Sequence, residues 1–509
     1  MSDTKPYPPG EYPVVVVGSG PGGLQVSHSL TELGVAHAMI SRDPSAGGMF
    51  RRFPFFQRLL SWTKPYAPVA RTDREYERYD WNSLVSEDPK LRAIQPTLMD
   101  GTSYFPARPE MERNLATFAE RAGLQVRYDC AWESTRVEGG PPGGSEARFV
   151  LATTDGEYRC RFPIFAIGEA QPMKPDTPGI ELVSHYVDTR EAHTYADREI
   201  FIIGKEVSAF ELATGFLQWA KRIVLASPSP TKLSVNTHSL VGVRARYVQP
   251  YEDHVLGGGV IVLDASIQEI ARTGERFTVR VRRSNTNEEM VFEVDDVIAA
   301  TGFQPPIRDL ADLGVVTYGR NRLPALTPFW ESVSLKGVYF AGTVSRSAAG
   351  LKKNGVPSNS GGVGGHRYNA RILAKHIART HFGVQIPRPE LRADDIVPFL
   401  LHELDHGPEM WHQRSYLCRV VTVSPDDGVR DEGIWPLAHF VDSEGPDAVA
   451  ATIEANAQGE NYPALYMRRG GRVTEHLLEA DQRMRYDTAD RRSALAAILR
   501  ELVGSEAAA

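Results

Sequence analysis

Cysteine is scarce in this chain: 3 in 509 residues, at Cys130, Cys160 and Cys418. None has another cysteine three positions on, so there is no C-x-x-C dithiol and no paired spacing of a zinc site, and each reads as a small buried apolar residue. Long apolar runs are missing as well. No stretch approaches the 18 or so residues a membrane helix needs, and residues 1–10 are polar and proline-rich where a secretory signal would be basic and then apolar. The expectation is a cytoplasmic protein with no membrane partner. Basic clusters are also absent: 57 Lys and Arg are scattered among 64 Asp and Glu, for a net charge of −7, which argues against nucleic acid. What remains is ordinary for a globular protein, 42% hydrophobic and 24% charged, with length for about two to four domains.

Two segments carry glycine signatures of dinucleotide-binding units, Gly18-Ser19-Gly20-Pro21-Gly22-Gly23 and Gly204-Lys205-Glu206-Val207-Ser208-Ala209. Before the first, residues 12–17 are a β-branched run that reads as a buried strand, and residues 24–33 after it read as a helix. Gly18 permits the tight turn, Gly20 lets the backbone approach a pyrophosphate, and Gly22 and Gly23 let the helix pack closely with its amides facing phosphate charge. The second unit repeats that order. Residues 198–203 read as a strand, and 208–221 as a helix with Ala209, Leu212, Ala213 and Phe216 on one face.

Glu206, however, stands where the second unit's middle glycine belongs. Two like charges about 5 Å apart at an effective dielectric near 20 repel by roughly 3 kcal/mol, which weakens binding by roughly a hundredfold or more. Two readings stay open: the carboxylate faces the pyrophosphate at that cost, or its side chain turns to solvent or is compensated by Lys205.

Residues 45–100 are rich in Pro, Arg and aromatics without a sustained period, and read as a long excursion of the kind that builds sites. Residues 108–121 read as a helix, 125–128 and 149–153 as strands, and 162–167 as a strand ending in Gly168, Pro172 and Pro175. The chain returns through Asp295-Asp296 to Thr301-Gly302, then 337–342, then a glycine run at 360–366 that opens a helix over 368–380. A helix that starts there is a candidate site for an anion or an electron-rich ring edge. From about residue 388, strands at 415–423 and 433–441, a helix at 446–457 and a last helix carrying Leu495, Ile498, Leu499 and Leu502 suggest a small appended unit. The expected fold class is α/β: two Rossmann-like dinucleotide-binding domains, 1–170 with 300–387 and 171–299, plus a C-terminal α+β extension, 388–509.

Over roughly residues 12–380 these motifs resemble the two-dinucleotide-domain flavoproteins, and within them the class B flavin-dependent monooxygenases of flavin-containing, N-hydroxylating and Baeyer–Villiger type. The resemblance rests on the Gly18 signature; Gly47-Gly48-Met49-Phe50; Ser103-Tyr104-Phe105-Pro106-Ala107-Arg108-Pro109; Ile167-Gly168 with Pro172 and Pro175; Ala300-Thr301-Gly302-Phe303; and Tyr339-Phe340-Ala341-Gly342. It implies FAD in the first unit and NADPH or NADH in the second, with molecular oxygen and a small-molecule substrate as partners. Carried over, Gly18, Gly20, Pro21, Gly22 and Gly23 line the FAD pyrophosphate, with Gly47, Gly48 and Gly168 as further FAD contacts. Gly204 and Ser208 belong to the nicotinamide unit, Thr301 and Gly302 to the crossing between units, and Gly342 and Gly362 to the surroundings of the isoalloxazine.

The sequence also departs from the pattern. The acidic residue that resemblance expects at the adenosine ribose falls on Ser41, whose hydroxyl can still hydrogen-bond, with Asp43 a substitute two residues on. His185 sits at about the distance of a signature histidine before Gly204 but lacks the Phe and Gly ahead of it, and reads either as a functional group or as a linker histidine. For a 2′-phosphate, Lys232, Arg244 and Arg246 are available and the spacing selects none.

The activity so implied is an NAD(P)H-dependent monooxygenase: reduced flavin reacts with oxygen, and one oxygen atom passes to an amine nitrogen, a sulfur or a carbonyl. The cofactor carries that chemistry while the protein positions the ring, excludes water and shapes the pocket. Phe50, Phe53, Phe55, Phe56 and Trp62 are candidates to wall the cavity. Lys352, Lys353 and Asn354 precede the glycine run; a lysine at the flavin's pyrimidine edge would stabilise a reduced anion, and its alternative is a solvated loop charge. Glu206 supports a second hypothesis, an oxidase or dehydrogenase whose substrate reduces FAD directly. A third is a non-catalytic flavin-binding protein with the C-terminal unit as its partner interface. That unit can equally form a homodimer or cover the site.

Overall fold

The run Val14–Val17 has no polar side chain to offer solvent, and all four residues are buried at the centre of a parallel sheet. The sheet runs Tyr339–Phe340, Phe162–Phe165, Val14–Val17, His37–Ile40, every pair parallel. Ile40 continues through a single parallel bridge to Arg127, which is all that forms of the strand expected at 125–128. This is a computed structural model, and it describes residues 5–54, 58–141, 144, 146–234, 242–254, 259–320, 322–348, 350, 358–456 and 459–503. The helices Pro21–Glu32 and Val363–Phe382 pack on one another, each beginning at a glycine-rich turn. The latter starts five residues before the expected 368 because Gly362 serves as its N-cap.

A second sheet has five parallel strands, Val260–Thr273, Arg222–Ser227, Glu199–Ile203, Asp296–Ala299 and Ser184–His185 in spatial order. Arg276–Arg283 and Glu289–Val294 extend it as an antiparallel meander from Val260–Thr273. The chain passes between the two sheets twice, at Gln171–Pro172 and Phe303–Gln304, and the two passages pair with each other as a short antiparallel ladder. Helix Arg108–Arg121 forms over the residues its pattern predicts, with Glu110 at the third helical position accepting from the Ala107 backbone N–H. Among the described residues no helix is long and apolar enough to cross a membrane.

The C-terminal residues form a six-stranded sheet in the order Glu390–Leu391, Gly428–Pro436, Leu417–Ser424, Ala448–Ala455, Asn461–Arg469, Arg472–Leu477. Two expectations are corrected here. Residues 446–457, expected as a helix, contain the strand Ala448–Ala455, and the strand expected at 433–441 ends at Pro436, after which Leu437–Asp442 is helical. Alanine favours helix locally, but this segment is buried along its whole length and alternates between two cores. Val449, Ala451 and Ile453 pack with Leu400 and Leu495, whereas Ala448 and Ala450 pack with Leu437 and Phe440. Small side chains with period two let apolar layers close on both faces.

Ion pairs fasten the helices Ile396–His406 and Pro408–His412 of this unit to the 45–100 excursion. Arg74 Nη1 lies 2.9 Å from Glu403 Oε1 and Nη2 lies 2.6 Å from Glu409 Oε2, and both carboxylates are buried. Burial works to raise the Glu409 pKa, but the adjacent Arg74 guanidinium outweighs it and holds the carboxyl down at about 2. Arg74→Met removes the principal partner of a buried carboxylate and is expected to cost about 3–5 kcal/mol, measured as a lowered denaturation midpoint. A depressed carboxyl stabilises the fold above its ordinary value and loses that contribution on acidification. The wild type should therefore lose stability as pH falls from 4.5 towards 2, and Arg74→Met should lack that part of the pH dependence.

Candidate active site

Gly18 and Gly204 are one turn built twice. Their φ angles are +112° and +132°, and a Cβ on them would lie 2.5 Å from the Ala166 carbonyl oxygen and 2.6 Å from that of Ala300. In each unit the first glycine closes against the backbone beyond a neighbouring parallel strand, a space and a conformation only glycine fits. A Cβ on Gly22 would lie 2.2 Å from Gly342 Cα, and one on Gly23 would lie 1.9 Å from the Gly18 carbonyl oxygen. Gly20 differs: its nearest neighbour would be Gly48 Cα at 3.8 Å, so its missing side chain leaves open space.

That space belongs to a cavity of about 1160 Å³. Of the residues singled out from sequence, Gly18, Gly20, Pro21, Gly22, Ser41, Asp43, Gly48, Gly168, Ser208, Gly342 and Gly362 line it. Gly23, Gly47, Gly204, Thr301 and Gly302 stand behind the lining as backbone supports; the Gly47 N–H, for example, donates to the Ser19 carbonyl at 3.0 Å. Lys352, Lys353, Asn354, Phe55 and Phe56 lie outside the described residues. Phe50 and Phe53 do line the cavity, edge to face with ring centroids 5.7 Å apart. Trp62 lies 5.4 Å from Trp81, whose indole lines it.

At one end, the Ser41 hydroxyl is 2.8 Å from that of Ser19 and accepts from the Asp43 N–H at 3.2 Å. Arg42 and Arg308 share that end, the Arg308 guanidinium lying 5.3 Å from the Trp132 ring. Burial, then the nearby Arg52 charge, depresses the Arg42 pKa. At the crossing, Arg346 donates to both oxygens of Glu169 at 2.5 and 2.8 Å, locking the Gly168 loop to the turn Gly342–Ser347.

His185 is buried but does not line the cavity. Its Nε2 lies 3.2 Å from the Gly302 carbonyl, which can only accept, and its Nδ1 accepts from the Val187 N–H at 3.4 Å. Both contacts require the neutral ring with the proton on Nε2, and burial lowers its pKa in the same sense. The histidine therefore fastens the crossing, together with Thr301, whose hydroxyl donates to the Met173 carbonyl.

In the second unit, Glu206 caps the helix Val207–Phe216 as an exposed residue whose side chain makes no capping bond. Lys205 is buried and held by Asp264. Partial burial raises the Glu206 pKa against the nearby Lys232 and Lys205 charges, while the direct bond of Lys205 goes to Asp264, so the lysine's compensation of Glu206 is one of charge alone. Of the three candidates for a 2′-phosphate, Arg244 lines the cavity, whereas Arg246 donates to the Leu59 carbonyl at 3.0 Å and to Tyr247 Oη at 2.7 Å. Between the units Glu211 accepts from Tyr186 Oη at 3.0 Å and Tyr247 Oη at 3.1 Å; burial and that carboxylate push both phenols up.

Sequence reasoning missed the Glu169–Arg346 pair, Glu211, and a wall supplied by the C-terminal unit, Trp411, His412 and Arg414. No local signal marks them. The separation between Glu169 and Arg346 is 177 residues, and nothing in either neighbourhood announces the other.

A model of the pyridine nucleotide-disulphide oxidoreductase family matches residues 15–342. The FAD-dependent oxidoreductase domain-containing protein 2 of Mus musculus is 26% identical over 435 residues, 80% of this chain and 64% of that protein. This chain thus spans less than two thirds of that relative's length. The probable indole-3-pyruvate monooxygenase YUCCA4 of Arabidopsis thaliana is 22% identical over 396 residues, 67% of this chain and 87% of that protein. Among solved structures, the bacillithiol disulfide reductase Bdr (YpdA) from Staphylococcus aureus aligns with TM-score 0.55 and 17% identity, over 73% of this chain and 99% of that one. The Kutzneria sp. 744 ornithine N-hydroxylase aligns with TM-score 0.53 and 17% identity, again over 73% and 99%. At such identities the structures establish the shared two-dinucleotide-domain fold and nothing finer.

The two glycine roles separate by mutation. Gly22→Ala drives a methyl into the Gly342 backbone and should destabilise the fold by about 1–3 kcal/mol or more. Gly20→Ala, with φ at −76° and open space, should leave thermal stability within about 1 kcal/mol of wild type. Equal losses in thermal denaturation would contradict this assignment.

Proposed function

The chain belongs to the pyridine nucleotide-disulphide oxidoreductase family, and from that footing we propose that it is an FAD-dependent, NAD(P)H-dependent monooxygenase that oxygenates an amine nitrogen, a sulfur or a carbonyl of a small molecule. The observation that carries this reading is one continuous cavity, which extends from the Gly18–Gly22 turn, past Gly342 and Gly362, to Ser208 and Arg244 of the second unit. Its volume exceeds the roughly 300–1,000 Å³ usual for a site that takes one small ligand.

The residues present fit FAD. Open space over Gly20, at the N-terminus of Pro21–Glu32, suits a pyrophosphate; Ser41, Arg42 and Asp43 suit the adenosine; Gly342 and the start of Val363–Phe382 suit the isoalloxazine. When bound, FAD supplies the electron storage that links nicotinamide to oxygen. The chain's own part is binding, orientation and exclusion of water. Residues 1–170 with 300–387 take the flavin and 171–299 the nicotinamide, with 388–509 walling the cavity. Phe50, Phe53 and Phe303 keep water from the reacting face, while the helix beginning at Val363 favours negative charge at its amide end. The Glu169–Arg346 lock and His185 hold the crossing in register.

The disulphide half of the family name does not suit this chain. All three cysteines are buried and unbridged, and burial raises each thiol pKa, so none presents an accessible thiolate. Oxygen is the acceptor that suits such a site, as in the monooxygenases among its relatives. Glu206 keeps the substrate-reduced oxidase as a second reading, because a carboxylate at the nicotinamide turn opposes a pyrophosphate.

Anaerobic stopped-flow absorbance of the purified yellow protein tests this. Rapid flavin bleaching on mixing with NADPH, then oxygen uptake equal to NADPH oxidised in the presence of substrate, is the expected result. Arg244→Ala should weaken NADPH about tenfold and leave NADH unchanged. No bleaching with either nucleotide would overturn the proposal and favour reduction by substrate.

A further inference from the structure

The wall supplied by the C-terminal unit brings a cation to the cavity. Trp411, His412 and Arg414 line the cavity beside Trp81. The neighbouring arginines have acceptors for their terminal nitrogens, although the Arg367 Nε is unpaired. Arg74 is paired with Glu403 and Glu409, Arg419 with Asp431, and Arg367 donates to the Ser83 and Glu77 carbonyls at 2.6 and 3.0 Å. Arg414 is the exception. Among the described residues no carboxylate pairs with it, and its Nε is buried with no hydrogen-bond partner. Its guanidinium instead lies 4.3 Å from the Trp411 ring, which Arg78 also approaches at 4.9 Å. Burial lowers the Arg414 pKa to about 10, which still leaves it charged at neutral pH. A half-buried guanidinium with no carboxylate beside it is a place where an anion gains by binding.

Two further groups beside it are also unsatisfied. His412 is only 5% exposed, and its Nε2 lies 2.8 Å from the Glu77 carbonyl, which can only accept, so the ring proton is on Nε2. Arg367 Nη2 is nearer to that same carbonyl, at 3.0 Å, than to the imidazole, at 3.3 Å, consistent with both groups donating to one oxygen. The His412 Nδ1 lone pair is therefore left free, and it has no partner. The Trp81 Nε1–H is buried without an acceptor, on an indole whose centroid is 5.3 Å from the His412 ring. A cation, a neutral donor and a neutral acceptor, each with an unpaired buried atom, thus belong to residues that line the same cavity together with two indoles.

We propose that this wall of the cavity is the substrate subsite, and that it takes a small planar molecule bearing a carboxylate. The carboxylate meets Arg414 and the Trp81 N–H, a substrate O–H or N–H donates to His412 Nδ1, and the planar part lies against Trp81 and Trp411. This deepens the oxidoreductase reading and rests on it for the chemistry that follows binding. The C-terminal unit then sets specificity for a reaction housed in the two dinucleotide units.

The test compares benzoate with its neutral isostere benzamide, titrated calorimetrically into the purified full-length holoprotein. A charge-assisted fork predicts benzoate binding roughly ten- to hundredfold tighter than benzamide. Arg414→Gln should bring the two probes to within about threefold of each other, and Arg414→Lys, which keeps the charge but loses the fork, should retain an intermediate preference. Equal binding of the probes to wild type, or no heat with either, overturns the subsite without recourse to any variant. A resting flavin spectrum altered by Arg414→Gln also overturns it, since the arginine would then serve the flavin. Failure of nicotinamide to bleach the flavin would instead count against the NAD(P)H-dependent monooxygenase reading alone, because the benzoate preference needs no turnover.

Discussion

The site depends on backbone meeting backbone with no side chain between. Gly22 against Gly342, Gly18 against Ala166 and Gly23 against Gly18 bring the start of Pro21–Glu32 onto the end of one strand and the turn after another. A single methyl at Gly22 would overlap the Gly342 backbone, so the approach of these segments is an all-or-none property of the glycines. Because that contact draws in Gly342, it also brings the helix Val363–Phe382 alongside, and two helix N-termini open onto one cavity. The second unit repeats the contact at Gly204 and Ala300. The chain between the two repeats crosses as a paired ladder held by His185 and Thr301.

Around this backbone frame, buried charge does two different kinds of work. Where carboxylates face arginine, as at Arg74 with Glu403 and Glu409, the pairs bind helices of the C-terminal unit to the 45–100 excursion, and their value lies in what breaking them would expose. Where a polar atom is buried with no partner, as at Arg414 Nε, Trp81 Nε1 and His412 Nδ1, the same desolvation cost is what the proposed carboxylate would offset. The two kinds lie side by side on the short segment Pro408–His412 and the residues that follow it. Docking of the C-terminal unit and lining of the cavity are consequently one event.

Much of the frame was legible in the residues because its causes are local. The strand Val14–Val17 announces itself by composition, helix Arg108–Arg121 by its pattern and capping glutamate, and the glycine turns by conformations that other residues avoid. The helix read over 446–457 failed for the opposite reason. Alanine's intrinsic preference is worth only tenths of a kcal/mol per residue, about 0.2–0.7, and pairing on both edges with cores on both faces overrides it. Among the candidate site residues, those whose role is backbone conformation fell at or directly behind the cavity. Those whose role depends on where a side chain points were divided: Ser41 and Asp43 line it, His185 braces the crossing and Lys205 is spent on Asp264.

By itself, then, the sequence determined two dinucleotide units, the positions at which their backbones must be glycine, and the want of an accessible cysteine pair. These follow from steric rules that act within a few residues, and they hold wherever the chain is read. Only the tertiary structure decided that Lys205 pairs with Asp264, that Arg346 closes on Glu169, and that Trp411, His412 and Arg414 reach a cavity begun some 400 residues earlier at Gly18. Side-chain partnership depends on distances set by the packing of whole sheets, and no spacing along the chain encodes it.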